Sequence, residues 1–271
     1  DPCFGGDEAF RNLVNTLHAS GIRVLIDGVF NHCGWHFFAF EDVIRNQEQY
    51  RYRDWFYSLH FPVSRPETPE EIPSYECFAY ERMMPKLNTA NPEVQEYFCE
   101  VGAYWVKAFG IDGWRLDVAD ELPDDFIAAI RDAIQAEKPN GYLLGEVWED
   151  GSNKIAYSRR RRYLLGRETH GLMNYPFRTA LLAWLGGGDA AAFRDDMETI
   201  RENYPPAAFY GAMNFLGTHD TPRILTLLGV ERTPEDKGQR AAYRLSPAEL
   251  ARGQKKLRLA SMLLYSFPGS P

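Results

Sequence analysis

The chain has 271 residues, 45% of them hydrophobic and 25% charged, an ordinary globular composition long enough for one large core. Its net charge of −8 argues against a general affinity for nucleic acid or anionic membrane, and no apolar run reaches the roughly 18 residues of a membrane-spanning helix. The four cysteines, Cys3, Cys33, Cys77 and Cys99, form no Cys-x-x-Cys pair and are too sparse for a disulfide framework, so a reducing, cytoplasmic compartment is compatible with them. The opening DPCFGGDEAF has no initiator Met and reads as the middle of a longer chain.

In chain order, residues 7–20 place Phe10, Leu13, Val14 and Leu17 on one helical face, and Gly21 closes the helix. IRVLID (22–27) is an unbroken apolar run, the pattern of a strand buried on both faces of a parallel sheet. Residues 33–90 are rich in aromatics, Pro and charge without a sustained period, and read as a subdomain inserted between barrel parts 1–32 and 91–271. The alternation resumes with Asn91 as N-cap, Pro92 at the first helical position and Gly110 at the end. The strand IDGWRLD, the helix PDDFIAAIRDAIQAEK and the strand YLLGEVW follow. A loop with the basic run Arg159 to Arg162, read as a solvated face, precedes a weaker strand GLMNY (171–175). Helical material to about 203 and the strand MNFLG (213–217) come next. A helix opens at Ser246-Pro247 with Glu249 completing a capping box, and LLYSF (263–267) is expected to be the last strand. This alternation implies an α/β fold with a parallel sheet. By itself it leaves open an incomplete (β/α)8 barrel or a doubly wound sheet.

Four of these strands end in polar residues. They are Asp27, Asn31 and His32; Arg115 and Asp117; Glu146 and Trp148; and His219 and Asp220. In parallel α/β folds the C-terminal strand ends share one rim, where chemistry is carried out. Arg115 and Asp117, two residues apart, share a face. The guanidinium is expected to lower the Asp117 pKa and keep it ionised, as a nucleophile requires. Glu146 lies among Leu143, Leu144, Val147 and Trp148, surroundings that favour a protonated acid. Two carboxyls tuned apart suit glycoside cleavage, with retention if they lie ~5–5.5 Å apart. The aromatic content of 14% suits sugar faces, although core packing also accounts for it.

DGVFNH, GWRLDVADE, GEVW and FLGTHD, in that order, resemble the four signature segments of the α-amylase superfamily of glycoside hydrolases. MPKLN (84–88) and MNYPF (173–177) resemble the neopullulanase, cyclomaltodextrinase and maltogenic amylase branch. The resemblance implies a (β/α)8 TIM-type barrel with an inserted domain after its third strand. It places two strands before residue 1 and the rest of the last strand after Pro271, so the barrel is expected to be incomplete, with exposed sheet edges that a second copy of the chain could cover. It implies Asp117 as nucleophile, Glu146 as general acid/base and Asp220 as the carboxylate that binds sugar hydroxyls and stabilises the transition state. Arg115 would orient Asp117, His32 and His219 would bond the sugar, Trp148 would stack on a ring or pack, and Asp27 would hold the rim. Lys86 and Asn88 would shape the inserted subdomain. The implied substrates are α-1,4 and α-1,6 glucans, including cyclodextrins and pullulan.

No cofactor is expected. Asn31 matches a calcium ligand of some members, but this branch often lacks that site. Asp120 and Glu149 depart from the branch pattern, which usually has Asn and often His at these places and bears on product specificity. A non-catalytic glucan-binding relative would be expected to have lost one of the three carboxylates, and all three are present. A metal-dependent hydrolase is disfavoured by only two rim histidines and no His-x-His pair.

Overall fold

The computed structural model describes residues 2–52, 54–232 and 236–271. The chain forms two compact units: residues 1–146 with 166–169, and residues 147–165 with 170–271.

In the first unit, helix α1 (Gly6–Ala19) buries Val14 completely, and Phe10 packs edge-on against Trp105 and Phe109. Leu13, expected on the same buried face, is half exposed, so the inward stripe is narrower than the sequence pattern suggested. Strand β1 (Leu25–Gly28) is also less buried than its apolar run implied: Ile22 is 51% and Leu25 38% exposed. The cause is position, because among the described residues β1 forms an edge and pairs with β2 alone (Gly113–Leu116), which pairs with β3 (Tyr142–Gly145), all parallel.

Among the described residues of 33–90 there are one α-helix, α2 (Phe38–Asn46), short 3-10 turns at Gln47–Gln49 and Phe78–Tyr80, and isolated antiparallel bridges such as Phe56 with Leu87. This segment has its own apolar packing around Phe40, Val43, Phe56, Tyr75 and Leu87. Helix α3 (Pro92–Phe109) starts and ends as expected: Asn91 accepts from the Glu93 N–H, Pro92 has no N–H in need of an acceptor, and Gly110 at the C-terminus is left-handed at φ 75°. It packs on α4 (Asp124–Glu137), whose Ile127, Ile130 and Ile134 are buried. Gly113, at φ 152°, is required by its neighbour: a Cβ there would sit 1.8 Å from the Tyr142 carbonyl oxygen.

In the second unit, the basic segment expected as a loop is a hairpin of β4 (Ile155–Ala156) and β5 (Arg159–Arg160). Tyr157 and Ser158 are both left-handed, at φ 52° and 60°, the geometry of a two-residue hairpin turn. Arg159 and Arg160 are exposed, but Arg161 is buried, its guanidinium 4.8 Å from the Tyr163 ring centroid, so the solvated-face reading fails at that residue. The predicted strands 171–175 and 213–217 shrink to β6 (Gly171–Leu172) and parallel bridges joining Met173, Met213 and Ser270.

Helix α5 (Tyr175–Leu185), capped by the Asn174 side chain, and α6 (Ala190–Asn203) are separated by Gly186, Gly187 and Gly188. Short helices α7 (Pro206–Gly211), α8 (Ile224–Gly229) and α9 (Lys237–Ala242) follow. Helix α10 (Pro247–Ser266) carries the expected capping box of Ser246 and Glu249. It also absorbs most of the expected strand LLYSF. Leu257, Ala260, Leu263 and Leu264, at helical spacing, pack in the cluster of Phe177, Leu181, Met197 and Leu228, and this period prevails over local strand preference.

Candidate active site

Parallel register assembles a carboxylate cluster at the C-terminal ends of β1, β2 and β3. Asp27 pairs with Arg115 across β1 and β2, and Leu116 pairs with Gly145 across β2 and β3. The chain therefore delivers Asp117 and Glu146 one residue beyond the last paired positions, tied by Asp117 N–H to Gly28 O at 3.2 Å and Glu146 N–H to Leu116 O at 3.0 Å.

Arg115 is the hub. Its Nη1 donates to Asp117 Oδ1 at 2.6 Å and to Asp27 Oδ1 at 2.7 Å, while Nη2 lies 2.8 Å from Glu146 Oε1. The Arg115, Asp117 and Glu146 side chains are 13%, 15% and 2% exposed, whereas Asp27 is 47% exposed. A planar fork meets carboxylates at two separated nitrogens in a fixed geometry, which the compact point charge of an ammonium does not reproduce. Burial pushes the Asp117 carboxyl above its ordinary value. Arg115 pulls the other way, and the carboxylates of Glu146 and Asp27 add to the rise. This reverses the expected direction: desolvation outweighs the guanidinium. Glu146 also has a polar environment that its apolar sequence neighbours did not announce, because Val118 N–H donates to its Oε2 at 2.8 Å.

His32 follows β1 and stacks on Phe78, with ring centroids 4.9 Å apart and planes 8° from parallel. Burial lowers its pKa, the Asp117 charge opposes this, and Lys86 adds to the fall. The segment 84–88 stands beside it: Lys86 forms a bridge with His32, and its ammonium donates to Glu121 at 2.6 Å. Neither Phe78 nor the Val118 N–H was singled out from sequence, since no residue-type signal marks either.

The Asn31 side-chain oxygen is buried without a hydrogen-bond partner, the one feature there that a calcium ion would explain. Among the described residues, however, no three His, Cys, Asp or Glu side chains gather as a metal site. One amide oxygen falls well short of the six to eight oxygens calcium takes, so these residues do not fit that ion. Among the described residues no cysteine forms a disulfide.

The remaining expected residues lie in the second unit. Trp148 stacks one face on the buried Tyr175, with centroids 4.2 Å apart, and remains 47% exposed. Packing and sugar stacking are thus both open to it. His219 Nε2 lies 3.3 Å from Asp220 Oδ2, and both side chains are largely exposed. Asp220 is not the N-cap of α8, which begins at Ile224 after Arg223.

Residues 1–248 match the family described as "Alpha amylase, catalytic domain". The chain belongs to the alpha-amylase family. It is 43% identical over 231 residues to a cyclomaltodextrinase of Geobacillus thermopakistaniensis, covering 84% of this chain and 37% of that protein. It is 40% identical over 249 residues to neopullulanase 2 of Thermoactinomyces vulgaris, covering 91% and 39% respectively. Among solved structures it is similar to a cyclic α-maltosyl-(1→6)-maltose hydrolase of Arthrobacter globiformis, at 31% identity and a TM-score of 0.80, covering 97% of this chain and 52% of that one. This alpha-amylase family chain thus spans well under half the length of those curated relatives. No helix among its described residues is long and apolar enough to cross a membrane.

Proposed function

We propose that the protein is a retaining glycoside hydrolase that cleaves α-1,4 and α-1,6 glucosidic bonds in maltooligosaccharides, cyclodextrins or pullulan. The observation that carries this reading is the single guanidinium of Arg115, which holds Asp117 by one nitrogen and Glu146 by the other. One guanidinium bridging both carboxylates keeps the pair at a single site, as a two-carboxylate glycosidase requires, and retention is the outcome the family motif implies. The names of the relatives support the glucan class.

In this mechanism Glu146 gives its proton to the glycosidic oxygen while Asp117 attacks the anomeric carbon. The carbon–oxygen bond to the leaving sugar breaks, and a glucosyl ester to Asp117 forms. Water then attacks the same carbon, Glu146 takes its proton, and the ester breaks with the anomeric configuration restored. Arg115 fixes both carboxylates before substrate arrives, and Asp27 fixes Arg115 in turn. His32, held flat against Phe78 and kept neutral by burial, is suited to bonding a sugar hydroxyl. The parts of His219, Asp220 and Trp148 in sugar binding rest on the family motif, and the indole of Trp148 is a ring of the kind that stacks on sugars.

Asp117→Asn in the full-length protein should abolish reducing-sugar release from cyclodextrin, pullulan and starch. Unchanged maltose release from that variant would reject the assignment.

A further inference from the structure

Val118, directly after Asp117, stands at φ 39° and ψ 56°. Among the described non-glycine residues with left-handed φ, it is the one with a β-branched side chain. For such a residue this region is a true outlier, and strain of that kind persists only where the surroundings impose it. Here the turn aims two successive N–H groups at one residue. Val118 N–H donates to Glu146 Oε2 at 2.8 Å, and Ala119 N–H donates to the Glu146 main-chain oxygen at 3.2 Å. Consecutive amides in a turn form a concave donor pair suited to an anion. The other carboxylate oxygen, Oε1, is held by Arg115. Glu146 is therefore pinned through one oxygen to the guanidinium that holds Asp117, and through the other to the residue covalently joined to Asp117.

We propose that Val118 is a positioning residue whose left-handed backbone N–H anchors Glu146 Oε2 and so sets the general acid's place relative to the nucleophile. The proposal rests on the reading of Glu146 as that acid. It gives the strained turn a catalytic purpose, fixing the geometry between two carboxylates that sequence places on different strands. The side chain of Val118 is not needed for this role; the donor and its direction are.

The decisive variant replaces Val118 by its α-hydroxy acid in the full-length protein, so that an ester stands for the amide and only the N–H is lost. Activity is read as kcat/KM on maltotriose, whose leaving alcohol needs a proton, and on α-maltosyl fluoride, whose leaving group departs without one. The ester variant should lose about tenfold or more on maltotriose, within the range that acid catalysis contributes, and less than about twofold on the fluoride. Val118→Gly, which keeps the donor and enters the left-handed region freely, should retain most activity on both substrates. Equal loss on both substrates with the ester, or loss on neither, overturns the proposal. So does a Val118→Gly variant that falls tenfold on both. Glu146→Gln measured alongside separates the two readings. If it fails to show the split between substrates, the acid assignment itself fails. If it shows the split and the ester does not, only the role of Val118 fails.

Discussion

Asp27 and Arg115 face each other across the parallel β1 and β2 pairing, and the Asp27 carboxylate accepts from the same Nη1 that serves Asp117. Asp27 is thus one step removed from the proposed chemistry, acting through the guanidinium it steadies. Asp27→Asn keeps an acceptor and should lower kcat/KM on maltotriose by less than about tenfold. Arg115→Lys should cost about a hundredfold, because one ammonium does not reproduce the spacing of the two guanidinium nitrogens and small misplacements at a reacting centre are costly. Steady-state kinetics on the two variants check the order. Equal losses would show that Asp27 does more than hold Arg115.

The raised pKa of Asp117 carries a stability consequence. An acid whose folded pKa lies above its unfolded value binds more protons in the folded state across that interval. Stability therefore falls as pH rises from the ordinary carboxylate value near ~4 through the raised one. At neutral pH the ionised Asp117 is a net burden, and Asp117→Asn removes it while Arg115 keeps Asp27 and Glu146. The variant should melt higher than the parent at pH 7, and the difference should vanish at acid pH. Thermal unfolding across pH tests this, and a lower melting point at pH 7 would show that the pairing with Arg115 dominates instead.

His32 gives the opposite slope, also on the acid side of neutrality. Burial lowers its pKa, so the unfolded chain binds the proton first, and stability is lost as pH falls below the unfolded value of ~6.5. His32→Gln should flatten the melting curve between pH 7 and pH 5 and lose ring stacking with Phe78. An unchanged slope would place the acid sensitivity elsewhere.

Gly113 is a backbone requirement next to the site. Any Cβ there collides with the Tyr142 main chain, a group that cannot swing away. Gly113→Ala should separate β2 from β3 and yield protein that is insoluble or melts many degrees lower, read by circular dichroism and thermal unfolding. A variant with normal stability would show that the strands can re-register.

Much of this was legible in the sequence. The caps Asn91, Gly110 and Ser246 with Glu249 fixed helix ends, because each is a local chemical signal. The strand-end motifs located Asp27, Arg115, Asp117 and Glu146 together, because parallel register aligns strand ends. The failures were non-local. LLYSF reads as a strand until the cluster of Phe177 and Leu228 draws Leu263 and Leu264 onto a helix. The direction of the Asp117 shift depends on how deeply the carboxylate is buried, and the adjacent Arg115 gave no measure of that. The left-handed Val118 has no signature in residue type, since valine is among the last residues one would place there.

The division of labour between Asp117 and Glu146 is tested most directly by trapping the intermediate. The full-length protein is treated with 5-fluoro-α-glucosyl fluoride, which slows the second step, then digested with trypsin and sequenced by mass spectrometry. The account predicts one added fluoroglucosyl group on the peptide Leu116–Arg131, at Asp117, and none after Asp117→Asn. A label on Glu146, or rapid turnover that continues in the Asp117→Asn variant, would contradict it.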